Sequence, residues 1–262
     1  MMRLRLLPMR RLTAAAVCLF LTICPLPTAA QTFTVVLDPG HGGKDPGCIG
    51  SVKTNQEKHI ALNIALEVGR LIQANLSGVK VVYTRANDTF IALGRRAEIA
   101  NNAKADLFVS IHVNALPKSS GRNTMGVQSY TLSLEPSAVN LEVEKRENAV
   151  IALEGDEAKK YDYFSSAEAD IMFELMQDRD MQQSVRFAQM AQQEMVKTAG
   201  RQDMGVRQAN LAVLRLTYMP SVLLEVGFIS TPAEEQFLLS DAGQKKLAQS
   251  IYNAIAQYYR QN

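Results

Sequence analysis

The stretch that decides the fold is Phe33-Thr-Val-Val-Leu-Asp-Pro-Gly-His41. Its first five residues are apolar at almost every position, so a strand here would be covered on both faces, as in the interior of an α/β sheet. Asp38-Pro-Gly40 ends that strand, and a loop rich in glycine and proline follows to about Thr54. A histidine therefore stands just beyond the carboxyl end of a buried strand.

The sequence after this strand alternates between helical and strand patterns. Thr54-Asn-Gln-Glu57 has the form of a capping box that opens a helix, and apolar residues keep helical spacing from Ile60 to Ile72. Further strands are predicted at 80–84, 107–111, 126–132, 211–214 and 221–225, and further helices at 93–103 and 241–259. The alternation predicts an α/β fold, a mostly parallel twisted sheet with helices on both faces.

The composition is that of a folded globular protein. The chain has 262 residues, of which 47% are hydrophobic and 21% charged, and this excludes collagen-like, low-complexity and largely disordered chains. Three cysteines are too few for a disulfide scaffold, and a formal net charge of +2 is too small to indicate nucleic-acid binding. We therefore expect one sizeable domain, or a domain plus an insertion, that binds no nucleic acid.

Residues 1–30 have the organisation of a secretory signal peptide. A segment with four arginines precedes an apolar run over 12–26, and small residues follow at 28–30. The alternative is a membrane anchor, but the run is shorter than the roughly 20 residues that a spanning helix needs. We therefore expect cleavage, export and no stable membrane anchor. Arg10-Arg11 leaves a twin-arginine signal open, and 21–24 a lipobox.

Removal of the signal peptide changes the charge balance. It takes away four arginines and no acids, which leaves 24 basic and 26 acidic side chains and a net charge of −2. Cys48 is then the one cysteine, so an internal disulfide is excluded. We expect stability to come from the hydrophobic core or from a metal.

The segment 135–200 differs from the rest of the mature chain. It carries 14 acidic and 7 basic residues, a net of −7, which leaves +5 for the remainder. It has no strand-like run, but Phe187, Met190 and Met195 keep helical spacing. The pattern predicts a helical insertion between two strands, with a charged, solvated crossover as the alternative. The opposite charges favour docking of the insertion on the domain, to an extent that salt weakens.

Three residues are candidate metal ligands. His41 and His112 stand at the carboxyl ends of two predicted strands, and Glu57 opens the intervening helix. Sites in open α/β sheets lie beyond these strand ends, and catalytic zinc takes three ligands of these types and keeps a fourth position for water. Each residue alone also fits a structural role, as a hydrogen-bonding histidine or a capping acid. Their coincidence at one edge of the sheet favours a metal site.

Glu225 is a candidate catalytic residue. It ends the apolar pattern Ser221-Val-Leu-Leu, which places a carboxylate at the tip of a strand. If partly desolvated, a carboxylate there would have a pKa suited to a general base. The alternative is an ordinary acid at a strand end, paired with a lysine or an arginine.

Five motifs in order carry a family resemblance. They are Val36-Leu-Asp-Pro-Gly-His-Gly-Gly43, Glu57-Lys58, Thr84-Arg85 with Leu93, Arg96 and Ala100-Asn101, Ser110-Ile-His-Val-Asn-Ala115, and Leu224-Glu-Val-Gly-Phe-Ile229. Together, across 33–134 and 201–259, they resemble the zinc-dependent N-acetylmuramoyl-L-alanine amidases of the amidase-3 family.

The resemblance implies an activity and a site. The catalytic domain would be 31–262, with one Zn2+ per chain held by His41, Glu57 and His112 and with Glu225 as catalytic residue. The implied reaction is hydrolysis of the amide between N-acetylmuramic acid and L-alanine in peptidoglycan. Two rival functions stay open: a zinc peptidase that acts on peptidoglycan stems, and a non-catalytic wall-binding module.

The insertion, from Leu141-Glu-Val-Glu-Lys-Arg-Glu-Asn-Ala149 onward, is similar to that of periplasmic cell-division amidases of Gram-negative bacteria. This similarity implies that the insertion covers the active site. One of its glutamates would take the open zinc position until an activator protein with a degenerate peptidase domain displaces it. The first candidate is Glu147, and the alternatives are Glu142, Glu144 and Glu154.

The same similarity implies a periplasmic monomer used in cell separation. Ile171, Leu175 and Met176 would form the face that docks the activator, or alternatively would pack inside the protein. The chain departs from the pattern in two places. Few residues separate the signal from the first strand, so no N-terminal wall-targeting domain is expected and septal targeting is left open. Residue 128 is Gln where the family often has Glu.

Overall fold

The computed structural model describes residues 32–116, 123–133, 139–159 and 167–262, with the backbone alone for 159 and 167–179. The predicted signal peptide at 1–30 lies outside these residues. So do the side chains of the predicted docking residues Ile171, Leu175 and Met176.

Six strands form one sheet. They are β1 (Phe33–Pro39), β2 (Val79–Tyr83), β3 (Leu107–Asn114), β4 (Val127–Leu132), β5 (Asp203–Ala209) and β6 (Ser221–Phe228). Their order in the sheet is β2-β1-β3-β6-β4-β5. The first four in this order run parallel, whereas β4 pairs antiparallel with β6 and parallel with β5. The predicted mostly parallel sheet is confirmed. The direction of the strands reverses between β6 and β4.

Helices cover both faces of the sheet, as predicted. They are α1 (Glu57–Asn75), α2 (Leu93–Asn102), α3 (Leu141–Asn148), α4 (Ala167–Lys197), α5 (Ala212–Arg215), α6 (Pro232–Leu239) and α7 (Asp241–Tyr259), with short 3-10 helices at Ala149–Leu153 and Gly155–Lys159. One hydrophobic cluster packs α1, α4 and α7 on one face, and a second packs α2, α3 and α5 on the other. None of the helices in the described ranges combines the length and apolar character needed to cross a membrane.

The alternating direction of side chains along β1 explains why consecutive residues of this strand are apolar. Val35 and Leu37 face the cluster formed with α1, whereas Val36 between them faces the cluster formed with α2. All three side chains are fully buried. Successive side chains of a strand point to opposite faces, so a strand covered by helices on both sides needs apolar residues at consecutive positions.

Two strand predictions differ from the structure. The run 211–214 was predicted as a strand but lies in the short helix α5 and the residue before it. Four apolar residues in a row fit either element, because periodicity separates them only over longer segments. The edge strand β5 escaped prediction because its sequence, DMGVRQA, is half-exposed and shows no clear apolar alternation.

The predicted capping box at Thr54–Glu57 is wrong. Helix α1 begins at Glu57 with Gln56 as the preceding cap residue, and no side chain caps it. The Glu57 carboxylate instead turns into the protein, where Oε2 accepts the N–H of Cys48 at 2.8 Å. The Glu57 side chain therefore makes a tertiary contact and does not cap the helix in the way that the local pattern predicts.

The carboxyl-terminal half of α4 belongs to the hydrophobic core. Phe187 and Met195 are fully buried, and the Phe187 ring meets that of Tyr258 edge-on with 5.5 Å between centroids. Gln192 Nε2 donates to the main-chain oxygen of Val127 at 2.8 Å. The segment 135–200 therefore contains a helix that the sheet needs for its cover. The earlier part of the segment forms α3 and the two 3-10 helices.

Candidate metal centre and catalytic site

His41 lies just after β1 in a tight loop. Its φ of 60° is in the left-handed region that residues other than glycine rarely adopt. Its Nδ1 lies 2.7 Å from Asp45 Oδ2, a bond that orients the ring and leaves Nε2 for the site. A Cβ on Gly40 would lie 2.5 Å from the His112 ring. Glycine at this position therefore allows the two imidazoles to approach with 4.8 Å between centroids.

Glu57 is held by two main-chain donors. Besides the bond from Cys48 to Oε2, Oε1 accepts the N–H of Val113 on β3 at 2.7 Å. The residue is fully buried. Each carboxylate oxygen accepts a hydrogen bond from a main-chain N–H, and these two bonds fix the position of the carboxylate. They also replace the hydrogen bonds to water that the buried carboxylate lacks.

The structure brings the three predicted ligands together with Glu147 of α3. Glu57 Oε1 lies 3.1 Å from His41 Nε2 and 3.1 Å from His112 Nδ1. Glu147 Oε2 lies 2.8 Å from His112 Nδ1 and 3.4 Å from His41 Nε2. One ligand atom from each of the four buried residues lies within 4.8 Å of the others. The group could hold a metal ion.

The hydrogen bonding of the cluster agrees with that use. Within the part of the chain that the structure describes, His41 Nε2, His112 Nδ1 and Glu147 Oε2 are buried without a hydrogen-bond partner. Buried polar atoms without partners cost free energy and are rare in folded proteins. A cation between these atoms would satisfy all three, and nitrogen and carboxylate donors are ligands that zinc accepts.

The charges of the cluster favour a cation as well. Burial lowers the pKa of His112, but the carboxylates of Glu147 and Glu57 outweigh burial and raise this pKa to about 9. Burial also opposes ionisation of His41, whose pKa Glu57 and Asp45 nevertheless raise well above its usual value. Burial raises the pKa of the Glu57 and Glu147 carboxyls, and the histidines hold it below the usual range. The carboxylates thus favour positive charge on the imidazoles that they surround.

Glu225 lies on β6 in register with His112 on β3. It is fully buried, and its Oε1 accepts a hydrogen bond from Arg146 Nη2 at 2.8 Å. Its Oε2 has no partner among the described residues. Burial raises the pKa of Glu225 to about 8, although the Arg146 guanidinium lowers it. The carboxylate is thus paired with an arginine on one oxygen and available on the other.

Arg146 of α3 was not singled out by the sequence analysis, yet it spans the site. Its Nε donates to Glu147 Oε1 at 2.9 Å, and its Nη1 donates to the main-chain oxygen of Ala115 at 3.3 Å. With the bond to Glu225, the guanidinium joins three groups of the site. The available signal was its position next to the candidate Glu147, as one of few basic residues in an acidic segment.

The other candidate glutamates of the insertion lie away from the cluster. Glu142 is exposed on α3. The Glu144 carboxylate accepts the N–H of Asn210 at 2.9 Å, and that of Glu154 accepts the N–H of Leu93 at 2.8 Å. These two carboxylates attach the segment to the domain.

A buried ion pair beneath the site was also missed. The fully buried Asp38 carboxylate accepts hydrogen bonds from Arg96 Nη1, Thr84 Oγ1 and Ser110 Oγ at 2.8, 2.5 and 2.7 Å. Arg96 also donates to the main-chain oxygen of His41 at 2.6 Å. Burial raises the pKa of Asp38, but these partners lower it below its usual value. The signal was a charged residue inside an apolar strand.

Two imidazoles and buried carboxylates at the carboxyl edge of this sheet define an α/β protein with the candidate site of a metal-dependent hydrolase. A family model described as N-acetylmuramoyl-L-alanine amidase matches residues 35–257. The chain belongs to this family, Amidase_3, and carries an N-acetylmuramoyl-L-alanine amidase domain.

Known proteins of similar sequence and structure are also named amidases. The chain is 35% identical over 224 residues to N-acetylmuramoyl-L-alanine amidase AmiC of Neisseria meningitidis serogroup B, covering 86% of this chain and 52% of that protein. It is 34% identical over 227 residues to AmiA of Salmonella typhimurium, covering 86% and 75%. The structure of the CwlD amidase of Clostridioides difficile in complex with the GerS lipoprotein matches with a TM-score of 0.65 at 26% identity, covering 88% and 100%. The chain thus spans about half the length of AmiC.

Proposed function

We propose that this protein is a zinc-dependent N-acetylmuramoyl-L-alanine amidase that hydrolyses the amide between the lactyl group of N-acetylmuramic acid and L-alanine in peptidoglycan. The observation that carries the proposal is the meeting of His41, Glu57 and His112 at the carboxyl edge of the sheet, beside Glu225. Family membership supports the substrate class.

His41, Glu57 and His112 would hold one zinc ion. A zinc ion there would supply Lewis-acid polarisation of the scissile carbonyl. The chain prepares this site before any ion arrives: Asp45 orients His41, and the main-chain N–H groups of Cys48 and Val113 hold Glu57. Ligands held in this way lose little conformational freedom on binding, which favours affinity.

Glu225 would act as general base and then as general acid. Its Oε2 accepts the proton of the attacking water and returns it to the nitrogen of the leaving L-alanine amine. The position of Glu225 supports this role, since it lies next to His112 in the sheet and Oε2 has no other partner among the described residues. Burial keeps solvent from competing for that oxygen.

Helix α3 would hold the enzyme in an inactive form. Glu147 occupies the position beside His41 and His112 where a fourth ligand would lie. Arg146 donates a hydrogen bond to Oε1 of Glu225. A carboxylate in place of the catalytic water blocks the reaction. The net charge of −7 on 135–200, against +5 on the rest of the mature chain, favours this docking.

Release of α3 would require a partner. We propose an activator protein with a degenerate peptidase domain, acting on a monomeric, exported enzyme of the periplasm during cell separation. The CwlD amidase, a structural relative, is known in complex with a lipoprotein, which supports partner binding in this fold. The signal-like segment at 1–30 supports export.

Mass spectrometry of sacculi digested by the Glu147→Ala variant, in which α3 no longer blocks the site, tests the activity. An amidase releases intact stem peptides with a free L-alanine amine, whereas a peptidase that acts on the stems releases truncated ones. A wall-binding module releases neither. Metal analysis of the purified protein should give one zinc per chain, and a protein with no zinc and no released peptide would overturn the proposal.

A further inference from the structure

A row of three side chains crosses the sheet at the site. His112 on β3 is in register with Glu225 on β6, and Glu225 is in register with Gln128 on β4. Residues directly opposite each other on neighbouring strands share a face of the sheet, with strands about 4.8 Å apart. Gln128 therefore lies next to Glu225 on the side away from His112.

The carboxamide of Gln128 is held at its oxygen. Gln128 Oε1 accepts hydrogen bonds from Asn114 Nδ2 at 3.2 Å and from Tyr130 Oη at 3.1 Å. All three residues are buried, Tyr130 almost completely. A carboxamide oxygen accepts two hydrogen bonds, so these partners use its whole capacity and direct the amino group the other way.

The amino group of Gln128 is a donor with no protein acceptor. Among the described residues no atom accepts a hydrogen bond from Gln128 Nε2, and this nitrogen is not among the buried atoms that lack partners. It therefore keeps contact with solvent although its residue is 4% exposed. The protein thus presents a fixed amide donor beside Glu225.

The guanidinium of Arg146 fills a space beside Glu225. Its guanidinium lies between Glu225 and the main-chain oxygen of Ala115, the residue after Asn114. When α3 leaves, this space is free and is lined by hydrogen-bonding groups. A peptide carries carbonyl oxygens and N–H groups in alternation. Its carbonyl oxygens suit the donor of Gln128, and its N–H groups suit the main-chain oxygen of Ala115.

We propose that Gln128 is a substrate-binding residue, whose Nε2 donates to a carbonyl oxygen of the muramoyl-peptide substrate beside Glu225. Asn114 and Tyr130 are positioning residues that set which end of the carboxamide faces the substrate. The inference rests on the proposed amidase function and adds a subsite to it. Gln rather than Glu suits this position because a carboxylate would accept the same two bonds but offer no donor.

Ligand binding without turnover tests this role. The parent protein is the zinc-loaded mature chain with Glu147→Ala, to free the site, and Glu225→Ala, to stop hydrolysis. The probe is N-acetylmuramoyl-L-alanyl-D-isoglutamine, and its Kd is measured by isothermal titration calorimetry. Gln128→Glu in this parent keeps the size and both accepted bonds but removes the donor. With Glu225 absent, the new charge does not oppose that carboxylate.

We expect Gln128→Glu to weaken binding about tenfold, the effect of one lost hydrogen bond of about 1.4 kcal/mol. Tyr130→Phe should weaken binding by a smaller factor, because the carboxamide loses one of its two fixed contacts. Gln257→Glu adds the same charge at an exposed position of α7 and serves as the matched control, with an unchanged Kd. Zinc content and the thermal midpoint should stay constant across the series.

Two outcomes would overturn the inference: equal Kd values for the parent and Gln128→Glu, or no measurable binding of the probe to the parent. Failure of the proposed function is seen separately. It would appear as a Glu147→Ala single variant, with Glu225 intact, that binds the probe but releases no stem peptide from sacculi.

Discussion

The guanidinium of Arg146 lies 2.8 Å from the Oε1 atom of Glu225. The next residue in the chain, Glu147, places its Oε2 atom 2.8 Å from His112 Nδ1. Two consecutive residues of α3 thus contact the two parts of the site, the candidate base and the candidate metal ligands. Charge-assisted bonds of this kind are stronger than neutral ones, so α3 is held at the site by its chemistry as well as by packing.

Replacement of Glu225 separates metal binding from catalysis. Glu225→Ala should leave one zinc per chain and lower turnover by about 10²- to 10⁴-fold, the contribution of a general acid–base residue. The measurements are metal analysis and release of stem peptides from sacculi. His112→Ala is the comparison, because it should lose zinc and activity together. Unchanged turnover in Glu225→Ala would remove this residue from the mechanism.

Substitutions in α3 test the inactive form without disturbing the core. Glu147→Ala and Arg146→Ala should each raise basal hydrolysis roughly tenfold or more, because each removes charge-assisted bonds that favour the closed state. Glu142→Ala, an exposed position on the same helix, is the matched control and should change nothing. Basal activity equal to that of the unaltered chain in both variants would contradict the block.

Deletion of the whole segment 135–200 does not test the inactive form cleanly, because it also removes part of the hydrophobic core. It would remove Phe187 and Met195 from the core together with the inhibitory residues. We expect the shortened protein to unfold, since loss of one large buried side chain alone costs about 3–5 kcal/mol. Circular dichroism of the deletion variant checks this, and a cooperatively folded product would show that α4 is dispensable.

Zinc affinity should rise with pH. Because the pKa of His112 is raised to about 9, its imidazole in the metal-free protein is protonated below that pH, and a metal must displace the proton. Affinity is therefore lowest at acid pH and increases as pH rises towards about 9. Competition with a chromophoric chelator between pH 6 and 10 measures it. Affinity that is flat across this range would contradict the assigned ligand.

The ion pair of Asp38 and Arg96 should contribute to stability. Asp38→Asn leaves the Arg96 guanidinium buried without its carboxylate and should cost about 3–5 kcal/mol in urea unfolding. The exposed Asp241→Asn is the control, with an expected change below about 1 kcal/mol. A fully stable Asp38→Asn protein would show that the pair is not required.

The same pair predicts an acid-dependent loss of stability. The pKa of Asp38 is lower in the folded than in the unfolded protein, so its stabilisation is complete above the unfolded value of about 3.9. It is lost as pH falls through the folded pKa. Asp38→Asn should lack this component, which urea titrations at a series of pH values would reveal. Identical pH dependence in both proteins would assign acid unfolding to other groups.

Much of the framework follows from local sequence. The apolar runs of β1, β3 and β6 predict buried strands, and α7 was predicted with the bounds that the structure shows, Asp241–Tyr259. Because parallel strands end at one edge, the positions of His41 and His112 after two such strands were enough to predict that they meet. These features depend on period and on strand ends, which are properties of short segments.

Other features required the tertiary structure. The three glutamates of α3 cannot be distinguished by residue type. The rotation of the helix about its axis turns Glu142 to solvent, Glu144 to Asn210 and Glu147 to the histidines. Local sequence carries no information on this rotation, because it depends on which neighbours the helix packs against. Likewise β5 is a strand because β4 offers it an edge to pair with, and 211–214 forms a helical turn although its residues fit a strand.

The sequence by itself determined the family, the class of sheet and the candidate ligands, since each motif and each strand or helix pattern is a short stretch of the chain. The tertiary structure decided which carboxylate enters the cluster, that Arg146 reaches Glu225, and that Gln128 presents its amino group beside that residue. These contacts join residues that are distant in the sequence, and their free energies depend on burial and on partners that exist only after folding.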